Sequence, residues 1–166
     1  MYSGTLGTLC SLGTASRRGA PFATRRAVPG FRSFKDFAAW QLAYALRRAV
    51  RPLCCRAQLE KDFTLQKQVR EAARSATRNI AEGFGRFLHR DFARFVRIAK
   101  ASEVELLDHF NEAFDSGYLT DPERRELEHA ARKAIKAANG LIRCLESTPD
   151  PPAPRPIRPS RERKTR

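Results

Sequence analysis

Apolar residues recur every three or four positions through the middle of the chain, which is the spacing of helices that bury one side. The first such helix is predicted over about residues 36–56. Its apolar positions are Phe37, Trp40, Tyr44, Val50 and Leu53. Pro52 lies inside this segment and removes a backbone hydrogen bond, so we expect it to kink or end the helix.

A second helix is predicted to begin at Asp62 or Thr64, since either side chain can cap it, and to end near Glu82. Gly83 then follows as a natural C-terminal cap. The apolar side of this helix comprises Leu65, Val69, Ala72, Ala73, Ala76 and Ile80. The opposite side carries Lys67, Arg70, Arg74 and Arg78.

Two further helices complete the predicted fold. The third covers about residues 91–115, and its apolar positions are Phe92, Phe95, Val96, Ala99, Ser102, Leu106, Phe110, Ala113 and Phe114. The fourth opens at Thr120, which can form a capping box with Glu123, and Pro122 stands in its first turn. Four amphipathic helices joined by short loops pack most simply as an up-down-up-down bundle, so the predicted fold class is all-α.

The two ends of the chain differ from this helical middle. Residues 1–32 are rich in Gly, Ser, Thr, Ala and Arg and contain no acid, a composition that resembles an organellar transit peptide. We favour a disordered basic leader or an over-long translated start. Residues 148–166 form a Pro-rich basic tail, which cannot bury enough surface to offset its ordering entropy. One bundle domain is therefore predicted over residues 33–147.

The 166-residue chain has a formal net charge of +14, which indicates a nucleic acid, an anionic membrane or an acidic protein as partner. Residues 47–100 hold 14 basic and five acidic side chains, whereas residues 101–128 hold two basic and nine acidic ones. Such a domain can lay its basic surface on nucleic acid while the acidic part faces elsewhere. No segment approaches the roughly 20 consecutive apolar residues that a membrane span needs.

Residues suited to catalysis are sparse. His89, His109 and His129 are each twenty positions apart, and no two are close enough on a helix to share a ligand. The four cysteines form no CxxC pair, and we interpret them as reduced thiols of a cytoplasmic protein. Residues 83–86 (Gly-Phe-Gly-Arg) come after a helix and lack the full spacing of a phosphate loop. We therefore expect no enzymatic activity, no metal site and no cofactor.

Eight cations succeed one another along the second helix and the segment after it. They are Lys67, Arg70, Arg74 and Arg78, continued by Arg86, Arg90, Arg94 and Arg97. Seven of the eight are arginines, and arginine binds phosphate through paired hydrogen bonds. Runs of charge are usually ordinary solvated helix faces. The residues alone therefore leave two interpretations open, namely contact with RNA or DNA and a solvated face.

One segment of the second helix resembles a known family. Residues 75–83 read Ser-Ala-Thr-Arg-Asn-Ile-Ala-Glu-Gly and come after Leu65, Gln68 and Arg70. This is similar to the signature LxxQ(I/L)RRAxxSxxxNIAEG of the four-helix bundle protein family, also called the 23S rRNA intervening-sequence proteins. Residues 34–40 resemble the family's FxDLxVW, residues 91–106 its EFxRFLxIAxGSxxEL and residues 117–119 its GYL.

The resemblance covers residues 34–146 and departs from the family pattern in a few places. Asp91 and Ala101 stand where the family usually has Glu and Gly. Pro52 and the adjacent Cys54 and Cys55 replace its usual segment between the first two helices, so we expect that loop to be built differently.

The resemblance implies an antiparallel four-helix bundle that assembles into a homopentameric ring. Some family members are encoded within insertions in bacterial rRNA genes, and a related one is the accessory protein of diversity-generating retroelements, which binds nucleic acid and a reverse transcriptase. No catalytic activity is associated with the family. Apolar area beyond the needs of one bundle also favours an oligomer, for example at Phe84, Phe92, Phe95, Phe110 and Phe114.

Together these features predict a non-enzymatic homo-oligomer whose basic surface binds RNA or an RNA–protein complex. Lys67, Arg70, Arg74 and Arg78 are the first choice for phosphate contacts, and Arg86, Arg90, Arg94 and Arg97 the second. Asn79, Glu82 and Gly83 are assigned structural or assembly roles. The alternative is an adaptor module whose basic face docks an acidic protein.

Overall fold

The computed structural model describes residues 31–86 and 88–150, which form helices and connecting turns without a strand. A short 3₁₀ turn at Phe34–Asp36 precedes five α-helices. The helices are α1 (Ala38–Leu53), α2 (Ala57–Lys61), α3 (Phe63–Phe84), α4 (His89–Asp115) and α5 (Asp121–Ser147). The predicted all-α fold is therefore confirmed, whereas most of the predicted leader and tail lies outside the described residues.

The first predicted helix is wrong at both ends, and the predicted number of helices is wrong by one. Residues 34–36 form a 3₁₀ turn capped by Ser33, and α1 begins after it at Ala38. Pro52 lies in the last turn of α1, which ends one residue later at Leu53. Proline has no N–H to donate to the carbonyl one turn before it, so it weakens the end of the helix. The short α2 then forms and buries Leu59 completely.

The predicted N-terminal caps of the later helices are confirmed in more detail, whereas the predicted C-terminal cap at Gly83 is wrong. Helix α3 continues through Gly83 to Phe84, and Gly85 is its cap. Gly83 instead lies buried within the helix, where its lack of a side chain leaves room for the Phe92 ring. Of the two candidates for the start of α3, Asp62 is the cap, and its Oδ1 accepts a hydrogen bond from the Leu65 backbone N–H at 3.1 Å. At the start of α5, Thr120 and Glu123 form a capping box. These contacts satisfy backbone donors that have no partner inside a helix.

The four long helices enclose a core made of two apolar clusters. Both α1 and α4 pack against α3 and α5. One cluster joins the end of α1 to the start of α3 and includes Leu46, Val50, Leu65, Val69, Leu106, Phe110, Leu127 and Ala131. The other joins the start of α1 to the end of α3 and includes Phe37, Ala43, Ala76, Ile80, Phe92, Val96, Ala138 and Leu145.

The bundle itself buries two of the five phenylalanines that suggested an oligomer contact, and Phe84 and Phe95 are partly buried. Phe92 and Phe110 are completely buried, and Phe84 packs against the second cluster. Phe114 is 39% exposed and has the Arg124 guanidinium over its ring at 5.1 Å. Phe92 and Phe110 therefore fill the bundle's own core and lend no support to an oligomer contact, which stays a prediction.

One acidic side chain lies inside this core. Glu103 shares the buried face of α4 with Ala99, Leu106 and Phe110, and its exposed fraction is 0%. Neither carboxylate oxygen has a hydrogen-bond partner in the described part of the chain. Burial raises the pKa of this carboxyl to about 8, because a charged form away from water is unfavourable.

Candidate nucleic-acid interface

The four first-choice cations lie together on the outer side of α3. Lys67, Arg70, Arg74 and Arg78 are all exposed, and the interval of three or four residues between them keeps them on one flank. No ion pair joins any of the four to an acid among residues 31–86 and 88–150. Their positive charge is therefore available to an external anion.

Three of the four second-choice cations have acidic partners. Arg86 pairs with Glu82 at 2.6 Å, and its guanidinium also lies over the Phe95 ring at 4.5 Å. Arg90 approaches Asp150 at 3.7 Å, and Arg97 pairs with Glu146. Only Arg94 of this set lacks such a partner within the described ranges. The two sets are thus unequal, since nearby carboxylates partly neutralise the second one.

A groove between α1 and α3 brings a further set of arginines beside the first-choice cations. Its volume is about 480 Å³. Arg47, Arg48 and Arg51 line it from α1, while Arg70 and Arg74 line it from α3. Glu60 is the acidic residue of the lining. Five cations against one anion in the described lining make this groove a strongly basic concavity. Lys67 and Arg78 lie on α3, the helix that forms one of its walls.

Sequence reasoning missed the contribution of α1. Arg47 and Arg51 stand one turn apart, which places them on the same flank of a helix, and Arg48 lies next to Arg47. That spacing was a usable signal. It does not by itself connect α1 with α3, because the two sets of arginines are about twenty residues apart in sequence and meet only when the helices pack.

Residues just after α1 also line the groove, among them Cys54 and Cys55. The Gln66 side-chain amide donates a hydrogen bond to the backbone oxygen of Cys54 at 2.8 Å, which ties the end of α1 to α3. Cys54 is buried and Cys55 exposed. Burial raises the pKa of the Cys54 thiol, an effect that the nearby Arg70 guanidinium opposes.

The residues assigned structural roles lie on or near the face between α3 and α4. The Asn79 amide donates to the Ser75 backbone oxygen at 2.9 Å and to its Oγ at 3.0 Å. Ser102 of α4 donates to the same Ser75 Oγ at 2.8 Å. A Cβ atom on Gly83 would come within 2.5 Å of the Phe92 ring, so the backbones approach closely there. Glu82 instead faces Arg86.

Metal binding and membrane spanning are two further properties that the described residues bear on. No group of three or more His, Cys, Asp or Glu side chains is arranged there to hold a metal ion. No helix within the described ranges combines the length and apolar character of a membrane span.

Fold and groove together define a small helical protein with an arginine-lined groove between two of its long helices. The model of the 23S rRNA-intervening sequence protein family matches residues 35–140. The chain belongs to this family, as its sequence motifs predicted.

One solved structure shows the same fold. It is a protein of unknown function from the S23 ribosomal protein family of Bacteroides thetaiotaomicron, 18% identical in sequence, with a TM-score of 0.58. The match covers 63% of this chain and 98% of that one. A comparison with curated proteins found no match.

Proposed function

We propose that this protein is a non-enzymatic, cytoplasmic RNA-binding bundle that holds the phosphate backbone in the groove between α1 and α3. The observation that carries the proposal is the groove itself, to which two separate helices contribute five arginines against one acid. Arginine suits this task because its planar fork of donors matches phosphate oxygens. Membership of a family described by its association with 23S rRNA genes favours RNA over other polyanions.

The test compares two variants that lose the same charge at different places. The groove variant changes Lys67, Arg70, Arg74 and Arg78 to Gln, which is nearly as good a helix former. The control variant changes Arg132, Lys133, Lys136 and Arg143 to Gln on α5, away from the groove. Both retain the basic tails, so the contribution of the tails is equal in both proteins.

Affinity for a structured RNA is measured at several salt concentrations. Each lost phosphate contact removes roughly 0.7 to 0.9 from the slope of log affinity against log salt. We expect the groove variant to bind more weakly with a shallower slope and the control to stay close to wild type. Equal behaviour of the two variants would show that the α3 cations form an ordinary solvated face.

The alternative function is an adaptor whose basic face docks an acidic protein, or a nucleic-acid enzyme such as a reverse transcriptase that carries an acidic surface. Its support is that no acid among the described residues pairs with the α3 cations, so a carboxylate-rich surface would complement them as well. Polyglutamate competing with RNA at matched charge concentration separates the two functions. An RNA-binding groove prefers RNA, whereas equal competition favours the adaptor.

We infer further that the chain forms an antiparallel up-down bundle that assembles into a homopentameric ring. Exposed apolar residues on the outer side of α4 support an assembly. Ile98 and Val104 are 41% and 48% exposed, and Ala101 lies exposed between them at the same helical spacing. Burying such a patch against another subunit is favourable.

Sedimentation equilibrium of the full chain at micromolar concentration measures this assembly. We expect a mass of five subunits and a smaller species when Val104 and Ile98 are both changed to Lys. A control at Asn111 and Asp115, two exposed polar positions of the same helix, should leave the mass unchanged. A monomeric wild-type mass contradicts the proposal.

A further inference from the structure

Two stacked aromatic side chains extend the arginine-lined groove along α1. Trp40 and Tyr44 lie one helical turn apart, with their ring centroids 4.9 Å apart and their planes at 10°. Phe34 makes an edge-on contact with the Trp40 ring, with the two ring centroids 5.3 Å apart, and so supports the Trp40 side of the pair. Tyr44 itself lines the groove beside Arg47 and Arg48.

Tyr44 is less buried than a side chain that serves only to fill the core. It is 41% exposed, and its ring belongs to neither of the two apolar clusters. The tyrosine hydroxyl has no hydrogen-bond partner in the described part of the molecule. Trp40, in contrast, packs against the second cluster. The pair thus has an anchored member and an exposed member, and the exposed one borders the cations.

This arrangement combines the two elements with which proteins hold unpaired nucleotides. Aromatic rings stack on bases of any sequence, while neighbouring cations track the phosphates. In an A-form duplex the base faces are covered by neighbouring bases, so a side chain at the surface reaches phosphates, 2′-hydroxyls and base edges but has no base face on which to stack. The groove volume of about 480 Å³ also lies within the roughly 300–1,000 Å³ range of ligand pockets.

We propose that Tyr44 stacks on an unpaired base of single-stranded RNA whose adjoining phosphates lie on Arg47, Arg51 and Arg74. The inference rests on the proposed RNA-binding function and adds to it a preference for unpaired over duplex RNA. The stacked Trp40 keeps the Tyr44 ring in place, which lowers the entropic cost of binding a base on its exposed side.

The experiment measures the affinity of the full chain for a single-stranded oligouridine and for a blunt-ended RNA duplex with the same number of phosphates. Tyr44→Leu removes the ring, Tyr44→Phe retains it, and Phe63→Leu removes a 68% exposed aromatic ring outside the groove. One stacking contact corresponds to a loss of roughly five- to 150-fold on aromatic removal. We expect that loss for Tyr44→Leu with oligouridine alone, and near wild-type binding for the other two variants.

Fluorescence provides a second readout, because Trp40 is the single tryptophan of the sequence. A base that stacks on Tyr44 changes the surroundings of the adjoining indole, so saturating oligouridine should quench its emission while the duplex leaves it almost unchanged. Circular dichroism of each variant checks that the helix content is retained.

The outcomes separate the stacking inference from the function on which it rests. Equal effects of Tyr44→Leu on oligouridine and duplex, or no effect on either, overturn the stacking inference and leave RNA binding in place. If the groove variant and the control variant bind both RNAs alike, the proposal that RNA binds in the groove is wrong. If wild type binds neither RNA, both proposals fail.

Discussion

The buried carboxyl of Glu103 should make the stability of the bundle depend strongly on pH. Its pKa is about 8 in the folded protein, compared with 4.5 as the ordinary value. The folded state therefore holds the proton more tightly than the unfolded state does. The stability that the protonated Glu103 contributes is fully present below about pH 4.5 and is lost as the pH rises from there through 8. The difference between the two pKa values corresponds to roughly 5 kcal/mol.

The perturbation that tests this reasoning is Glu103→Leu, which has a similar size and removes the titrating group from an apolar site. We expect the free energy of unfolding of the variant to be higher than that of wild type, with a gap that widens between pH 5 and pH 8. The gap should grow by roughly 3 to 5 kcal/mol over that interval. Leucine also removes the cost of burying a polar group without a partner.

Urea unfolding monitored by circular dichroism at constant protein concentration provides the measurement. Glu105→Gln serves as the control, since Glu105 is an exposed acid on the same helix. Comparison of each variant with wild type cancels the titration of the three histidines. If Glu103→Leu and wild type lose stability in parallel between pH 5 and pH 8, the carboxyl is not kept protonated by burial and the argument is refuted.

Two further predictions concern the α3–α4 face. Gly83→Ala places a Cβ 2.5 Å from the Phe92 ring and should lower stability by about 1 to 3 kcal/mol, whereas Gly140→Ala, with open space around it, should raise stability by about 1 kcal/mol. Equal shifts of the two urea midpoints would contradict this difference. Asn79→Ala should cost about 1 kcal/mol through its lost hydrogen bonds, and Asn111→Ala, at an exposed position of α4, should cost almost nothing in the same assay.

Helix positions and N-terminal caps could be predicted from the sequence because they depend on neighbours within a few residues. Apolar spacing located the four long helices, and the Asp62 and Thr120 caps are local side-chain contacts with the backbone. The family could also be predicted, since its motif in α3 is contiguous. The presence of α2 could not be predicted, because a proline in the last turn of one helix does not indicate the conformation of the residues that follow.

Only the α3 part of the candidate site could be predicted, because it depends on neighbours within one helix. The α3 cations stand on a regular helical flank, so their shared exposure could be inferred from the sequence. Arg47, Arg48 and Arg51 join them only when α1 packs beside α3. The ion pairs that neutralise Arg90 and Arg97 likewise depend on Asp150 and Glu146, which lie about fifty residues or more away in the chain.

Burial in the core depends on tertiary packing, which the local sequence pattern does not determine. The sequence placed Phe92 and Phe110 on one side of a helix but did not determine whether that side meets its own bundle or another subunit. Packing of four helices decided that both are covered within the chain. Glu103 lies on the same buried side despite its charge, because the position of a residue on a packed helix sets its burial and its chemistry must then adapt through a raised pKa.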